Sequence, residues 1–307
     1  MRVAAAADRD DAERAARHGR VDLDAVRAVL RYLRRNRSLV VGLVLLLGLI
    51  AFAVVGGWFV EPQSYRPLST RMLQPPSWAL PFGSDRQGRN LFAVITSGTL
   101  LTLRIGLIAG VLGVTIGAAL AFVSAYYGGW VDTVLRSIVD VGLTVPNLMV
   151  LIVVAMMLRE GMTVNVMALV IASLAWLYPA RTIRSQVLTL RERAYVEIAR
   201  LSGTSGPGII VKEILPNLLP YLMASLVGSV SAAILASIGL DVLGLGVFEA
   251  PTLGMTLYWV NFTGAVINGW WWWWLAPIVV VGILFIALFS ISIGLDEIAN
   301  PRLRRRV

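Results

Sequence analysis

Residues 39–60 read LVVGLVLLLGLIAFAVVGGWFV, a run of 22 residues without a charged side chain. A helix rises about 1.5 Å per residue, so this run can cross the hydrocarbon core of a bilayer, which is about 30 Å thick. Five more apolar segments follow along the chain, near 99–126, 133–158, 163–182, 217–240 and 273–295. The sequence therefore predicts an all-α, polytopic membrane protein with six transmembrane helices.

The composition of the 307 residues excludes several classes of protein. Hydrophobic residues make up 57% and charged residues 15%, whereas soluble domains carry about 25% charged residues. There is no cysteine, His18 is the only histidine, and the only lysine, Lys212, follows Val211. Disulfides, thiolate metal sites, a Ser-His-Asp mechanism within the membrane and a Gly-Lys phosphate loop are thus excluded. We expect no catalytic, cofactor or metal site in this chain.

The arrangement of the 27 basic residues predicts the orientation. The net charge is +9, which can indicate nucleic-acid binding, but here the basic residues flank apolar runs. If the N-terminus is cytoplasmic, the inner segments 1–38, 181–215 and 302–307 hold 20 Lys and Arg residues and the outer segments hold 6. This asymmetry obeys the positive-inside rule. We predict that both termini are cytoplasmic and that the chain binds lipids and no nucleic acid.

Five segments organise the chain. They are a cytoplasmic tail with a basic amphipathic helix (1–38), a first transmembrane helix (39–60), a periplasmic segment (61–98), a five-helix core (99–296) and a basic cytoplasmic tail (297–307). Ala51-Phe52-Ala53 also resembles a signal-peptidase site. The long basic lead-in and the continuation of the run to residue 60 favour a retained span.

The cytoplasmic segment before the fifth apolar run has an amphipathic pattern. Residues 184–203 read RSQVLTLRERAYVEIARLSG, in which Ala194, Ile198 and Leu201 form an apolar stripe at helical spacing. Such a helix can dock in a groove of a partner. The alternative is a solvated connecting helix.

Charged and turn residues predict the ends of this helix. Glu197 lies four residues after Arg193 and three before Arg200, within side-chain reach of both. Gly203 suits a helix C-terminal cap, and we expect Pro207 and Gly208 to break the chain before the fifth span.

Several motifs resemble those of bacterial ABC importer permeases. Glu197, Ala199, Gly203, Leu215 and Pro216 match the E-A-A-x3-G-x9-I-x-L-P signature, with departures at Ile198 and Glu213. The segments GSDRQGRNLF, YYGGWVD, LGLG and NPRLR, at 83–92, 126–132, 243–246 and 300–304, resemble motifs of the dipeptide/oligopeptide/nickel permeases, specifically the dipeptide/oligopeptide permease C type. Together these segments extend along most of the chain in the family's order.

This resemblance implies a fold, a function and a set of partners. The fold would be a type I ABC importer permease (MetI-like) core of five helices, with the first helix peripheral. Residues 190–203 would be the coupling helix, and Glu197, Ala199, Gly203, Leu215 and Pro216 would couple it to an ATPase. The partners would be a second homologous permease, two ATPase subunits that bind ATP and Mg, an extracytoplasmic substrate-binding protein and the peptide. The membrane would be the bacterial cytoplasmic membrane.

Two outer segments carry further candidate residues. Asp85, Gly88 and Arg89 form either an ordered element before the second span or a contact for a cargo-delivery protein. Asp241 and Glu249 flank the glycine-rich turn at 244–246, where they would either meet the amino group of a peptide or be solvated loop acids. The family usually has Glu and Ser where this chain has Ser237 and Asp241.

Two other patterns also leave alternatives open. Asp132, Arg136 and Asp140 recur every four residues and form either a structural ladder of ion pairs or a proton or ion relay. Trp270–Trp274 forms either an interfacial aromatic belt or a wall for cargo side chains, and part of this run must pack inward.

The predicted function is the transmembrane subunit of an ATP-driven importer that moves di- and oligopeptides by alternating access. Nickel chelates or another peptide-like solute are alternative cargoes. An ion-coupled secondary transporter would need ionisable groups near the bilayer centre, which the spans nearly lack. A membrane scaffold without a transport path is a further alternative.

Overall fold

The computed structural model describes residues 36–61 and 63–299, and this part of the chain is predominantly helical. The helices are α1 Arg37–Trp58, α2 Leu91–Tyr127, α3 Gly129–Thr144, α4 Asn147–Met157, α5 Val164–Ala175, α6 Leu177–Arg191, α7 Ala194–Leu201, α8 Gly206–Ile209, α9 Leu215–Val242, α10 Leu253–Phe262 and α11 Trp271–Ala299. A 3₁₀ turn spans Arg159–Gly161, and a π-helical segment at Ile210–Ile214 joins α8 to α9. The predicted cytoplasmic segment 1–38 with its basic amphipathic helix lies almost wholly outside the described residues, as does nearly all of the tail at 297–307.

Within the described residues, four helical stretches are long and apolar enough to span a membrane: α1, α2, 206–242 and 271–297. Two more spans result if each bent pair counts as one, with angles of 82° between α3 and α4 and 42° between α5 and α6. This total agrees with the six predicted segments, but the third of these is broken. Pro146 has no N–H and disfavours helical backbone before it, and Val145 is accordingly extended at φ −82° and ψ 130°.

Two helices begin earlier than predicted. The Asn90 side chain accepts a hydrogen bond from the Phe92 N–H at 3.0 Å, and this cap starts α2 at Leu91 rather than near residue 99. The prediction that Pro207 and Gly208 break the chain is wrong. Pro207 lies in the first turn of α8, where its missing N–H is not needed, and the helix continues through the π segment into α9.

The first helix packs along the last one at very close range. A Cβ on Gly42 would lie 2.7 Å from the Ala287 carbonyl oxygen, and one on Gly294 would lie 2.6 Å from Leu39 Cβ. Asn36 fixes the end of this pair, because its side-chain amide donates to the Gly294 carbonyl at 2.9 Å. In contrast, α2 is central and packs against α5, α6 and α9.

Candidate functional site

The predicted coupling segment divides at Glu192 and Arg193, so that α6 ends at Arg191 and the eight-residue α7 follows. One face of α7 is attached to the rest of the protein. Val196 is fully buried, and Tyr195 and Ala199 pack beside it against a cluster formed by the C-terminal half of α2, α6 and the start of α9. Burial also raises the pKa of the Tyr195 phenol. One face of α7 is therefore fixed by packing against the rest of the protein.

The opposite face of α7 carries the predicted apolar stripe, and this stripe is uncovered in the described part of the chain. Ile198 is 63% exposed and Leu201 is 83% exposed, and Ala194 and Glu197 are exposed as well. The predicted pairing of Glu197 is not found, since among the described residues it makes no ion pair. An anchored helix with an uncovered apolar stripe has the form of a docking element.

The end of α7 is set by backbone conformation. Gly203 has a φ of +81°, a value that side chains disfavour. The Gly203 N–H bonds the Arg200 carbonyl, and the Thr204 N–H bonds the Ala199 carbonyl, both at 3.1 Å. This is a Schellman cap, as predicted from Gly203. A Cβ there would meet no other described atom within 4 Å, so conformation is what requires glycine.

After α7, the chain reaches α9 through α8 and the π segment. Leu215 is half-buried and Pro216 is exposed, and both lie in the first turn of α9. Proline cannot donate a hydrogen bond to the preceding turn, and the π segment ends here, with the Leu215 N–H bonded to the Ile210 carbonyl. Short π segments inside α-helices occur frequently at functional sites.

The charged residues of α3 do not form a single ladder. Asp132 instead accepts from Arg184 of α6, with Nε to Oδ1 at 2.5 Å and a second contact from Nη2, and from the Ser124 hydroxyl. Arg136 does pair with Asp140, with Nε to Oδ2 at 3.4 Å. The partner of Asp132 lies 52 residues away, so helical spacing alone could not identify it.

The segment at 83–90, predicted to lie outside, is a tightly bonded turn. The Arg89 Nε lies 2.5 Å from Asp85 Oδ2, and both side chains are buried. Asp85 Oδ1 also accepts from the backbone N–H groups of Gln87 and Arg89 at 2.8 and 2.9 Å, and Gly88 has a φ of +72°. This geometry supports the structural interpretation, because neither Asp85 nor Arg89 presents its charge to a partner.

The two acids that we predicted near the cargo path differ in environment. Asp241 is 0% exposed, and its Oδ2 accepts from the Thr252 hydroxyl at 2.7 Å. It joins the end of α9 to the start of α10 and is not the solvated loop acid considered above. Glu249 is exposed and lines an open cavity of about 650 Å³ together with Arg104 and Asn165. Arg104 is not among the site residues that the sequence predicts.

Most of the tryptophan run at 270–274 is turned into the protein. Trp273 is fully buried, and the Trp272 indole N–H donates to the Ser84 carbonyl at 3.2 Å. Trp271 is 53% exposed. Part of the run therefore packs inward, as predicted, and Trp272 ties it to the segment at 83–90.

Comparison with known proteins identifies the family. Residues 113–305 match the family model described as "Binding-protein-dependent transport system inner membrane component". The chain belongs to this family. Residues 26–76 of this transport component also match "N-terminal TM domain of oligopeptide transport permease C".

Individual relatives of this transport component agree with the family match. A dipeptide transport system permease protein of Bacillus subtilis (strain 168) is 30% identical over 276 residues, which cover 90% of this chain and 85% of the relative. An oligopeptide transport system permease protein of Mycobacterium tuberculosis (strain ATCC 25618 / H37Rv) is 33% identical over 222 residues, which cover 71% of this chain and 75% of the relative. A solved structure titled as inward-facing conformations of the MetNI methionine ABC transporter has a TM-score of 0.55 at 18% identity and covers 68% of this chain and 95% of that one. This last match supports the MetI-like fold.

A large cavity of this transport component lies between α4, α5, α6, α9 and α11. It measures about 580 Å³, and its α9 wall consists mostly of small side chains, including Ala224, Ser225, Gly228, Ser229 and Ala232. Small residues at helical spacing are typical of close helix contacts in membranes. That signal was available in the sequence, but our sequence reasoning did not use it.

Proposed function

We propose that this chain is the permease subunit of an ATP-driven importer that carries peptides across the bacterial cytoplasmic membrane. The observation that carries the proposal is the anchored α7 with its uncovered stripe of Ala194, Ile198 and Leu201. The names of the dipeptide and oligopeptide permeases that it resembles support the choice of cargo. Both termini would lie in the cytoplasm, on the side of α7, as the positive-inside count favours.

In this proposal, α7 inserts into a groove of a separate ATPase subunit. The stripe supplies the apolar contact, and Glu197 at its edge would make polar contacts with the partner. Val196 buried behind the stripe would transmit the movement of the ATPase to α6 and α9, because it packs among residues of both helices. The hydrolysed ATP and its Mg would be bound by the ATPases, which also provide the free-energy difference between inward- and outward-open states.

A second homologous permease would complete the transport path. The small-residue wall of α9 and the cavity of about 580 Å³ beside it are the surfaces that favour such a contact. Peptides would arrive from an extracytoplasmic binding protein at the outer end. There Glu249 is available for a peptide amino group and Arg104 for its carboxylate, since both line one open cavity.

The test compares two identical substitutions at opposite ends of the molecule. Ile198→Asp places a charge in the α7 stripe, whereas Ile267→Asp is the control at a 92% exposed residue of the outer loop after α10. Proteoliposomes holding the complete transporter would be assayed for ATP-dependent uptake of a labelled peptide mixture and for ATPase co-purification. We expect Ile198→Asp to reduce both at least tenfold and the control to retain ATPase binding.

Two results would contradict the proposal. Equal ATPase binding in Ile198→Asp and the wild type would remove the docking role of α7. Uptake that persists without ATP but stops when the proton gradient is collapsed would indicate an ion-coupled transporter instead.

A further inference from the structure

A charged cavity lies at the same end of the molecule as α7, between α2, α3 and α6. It measures about 290 Å³, and Leu135 and Val139 line it beside the charged Arg136, Asp140 and Arg181. Ten residues of α6 separate Arg181 from Arg191, so at about 1.5 Å per residue the cavity lies roughly 15 Å from the end of that helix. If α7 stands in the cytoplasm, this depth corresponds to the headgroup region of the inner leaflet.

The charges in this cavity do not cancel. Arg184 and Asp132 neutralise each other through two contacts, with Ser124 as an additional donor to the carboxylate. Arg136 and Arg181 then share the single carboxylate of Asp140, at 3.4 and 3.9 Å. A separation of 3.9 Å is too long for a hydrogen bond. One positive charge is therefore in excess, and guanidinium donors remain available.

The two arginines are also accessible. The Arg136 side chain is 66% exposed and that of Arg181 is 63% exposed. Beside them, the apolar residues Leu120, Leu135 and Val139 line the same cavity. A cationic cavity with a partly apolar wall is suited to a ligand that has an anionic head and hydrocarbon chains.

We infer that this cavity binds the phosphate of an anionic phospholipid of the inner leaflet. Arg136 and Arg181 donate to the phosphate oxygens, as guanidinium groups do with phosphate. Asp140 holds the two arginines in place when the lipid is absent and competes with the phosphate for them. The acyl chains lie along Leu120 and Leu135, the half-buried apolar residues of the cavity wall. Because the bound lipid touches both α3 and α6, it stabilises the packing of these helices below α7.

The test measures lipid affinity directly on the full-length chain in detergent. Native mass spectrometry gives the dissociation constants of phosphatidylglycerol, of phosphatidylcholine and of inorganic phosphate. Removing a basic residue near an anionic headgroup costs about fivefold in affinity. We expect Arg136→Gln with Arg181→Gln to weaken phosphatidylglycerol binding about 25-fold, and Arg66→Gln with Arg71→Gln, which removes equal charge from the outer segment, to change it less than twofold.

A single substitution that should raise the lipid affinity distinguishes a change in the site from misfolding. Asp140→Asn removes the competing carboxylate and should tighten phosphatidylglycerol binding about fivefold, a result that a misfolded chain cannot produce. Weaker or unchanged binding in Asp140→Asn would overturn the inference, as would equal losses in the two double variants.

Two further outcomes would reassign the cavity to another occupant. Inorganic phosphate that binds as tightly as phosphatidylglycerol would identify free phosphate as the ligand. If the Arg136/Arg181 variant loses co-purification with the second permease while its lipid affinity stays normal, the occupant is an acidic protein surface. Either result overturns the lipid assignment.

Discussion

The link between Asp241 and Thr252 predicts a large effect from one small substitution. Thr252→Val keeps the shape of the side chain but removes a hydroxyl that has two functions. It donates to Asp241 Oδ2 at 2.7 Å, and it accepts from the Met255 N–H at 3.1 Å as the N-cap of α10. Losing a hydrogen bond to a buried carboxyl group costs about 2 kcal/mol, and losing a cap costs about 1 kcal/mol. The free energy of unfolding should fall by about 3 kcal/mol.

Thermal unfolding of the full-length chain in detergent measures this loss. At the scaling of large domains, about 3 kcal/mol corresponds to a decrease in Tm of roughly 6–12 °C. Thr252→Ser keeps the hydroxyl and is the matched control, with an expected decrease of less than half as much. The reasoning would be refuted if Thr252→Val had a wild-type Tm, or if valine and serine lowered the Tm equally.

Three other predictions concern the ends of helices and the outer cavity. Gly203→Ala should cost about 1 kcal/mol at the α7 cap and reduce ATPase binding, and Gly203→Asn should cost less because asparagine tolerates positive φ. Titration of the ATPase onto the complex would rank the two variants by affinity, and equal losses of affinity would argue against the cap. Gly294→Leu should separate α1 from α11 and lower the Tm. Gly282→Leu on the same helix should do neither, because a Cβ at Gly282 would meet no described atom within 4 Å. Protease accessibility of α1 provides the second readout. Arg104→Gln should raise the KM for peptide uptake several-fold without changing ATPase binding, and an unaltered KM would exclude this residue from the cargo path.

Comparison of the sequence with the structure shows which patterns were informative. The apolar runs predicted a helical protein with several membrane spans, because burial in lipid requires long uncharged helices regardless of their neighbours, and their number agrees with the structure if each bent pair is one span. The cap at Gly203 was also predictable, since it depends on the backbone of a few adjacent residues. The break at Pro146 was missed because our count of apolar residues did not consider that proline disfavours helical backbone before it.

Side-chain partners were less predictable. Arg184 pairs with Asp132 across 52 residues, and the Trp272 indole reaches the Ser84 carbonyl 188 residues away. Helical spacing suggested Arg136 as the partner of Asp132, and the aromatic run at 270–274 suggested either a membrane interface or a cargo wall. Local periodicity reports which residues share a face of a helix, but it does not report which other element covers that face.

The sequence by itself determined that this is a polytopic helical membrane protein, which end of each span is basic, and where a short amphipathic helix lies between two spans. These properties follow from hydrophobicity, charge and short motifs, all of which act over at most a few turns of the chain. The tertiary structure alone decided that Val196 faces inward while Ile198 is uncovered, that Asp241 is buried against Thr252, and that Arg136 and Arg181 share one carboxylate. The reason is that burial and charge balance depend on helices distant in sequence, whose packing brings these groups together.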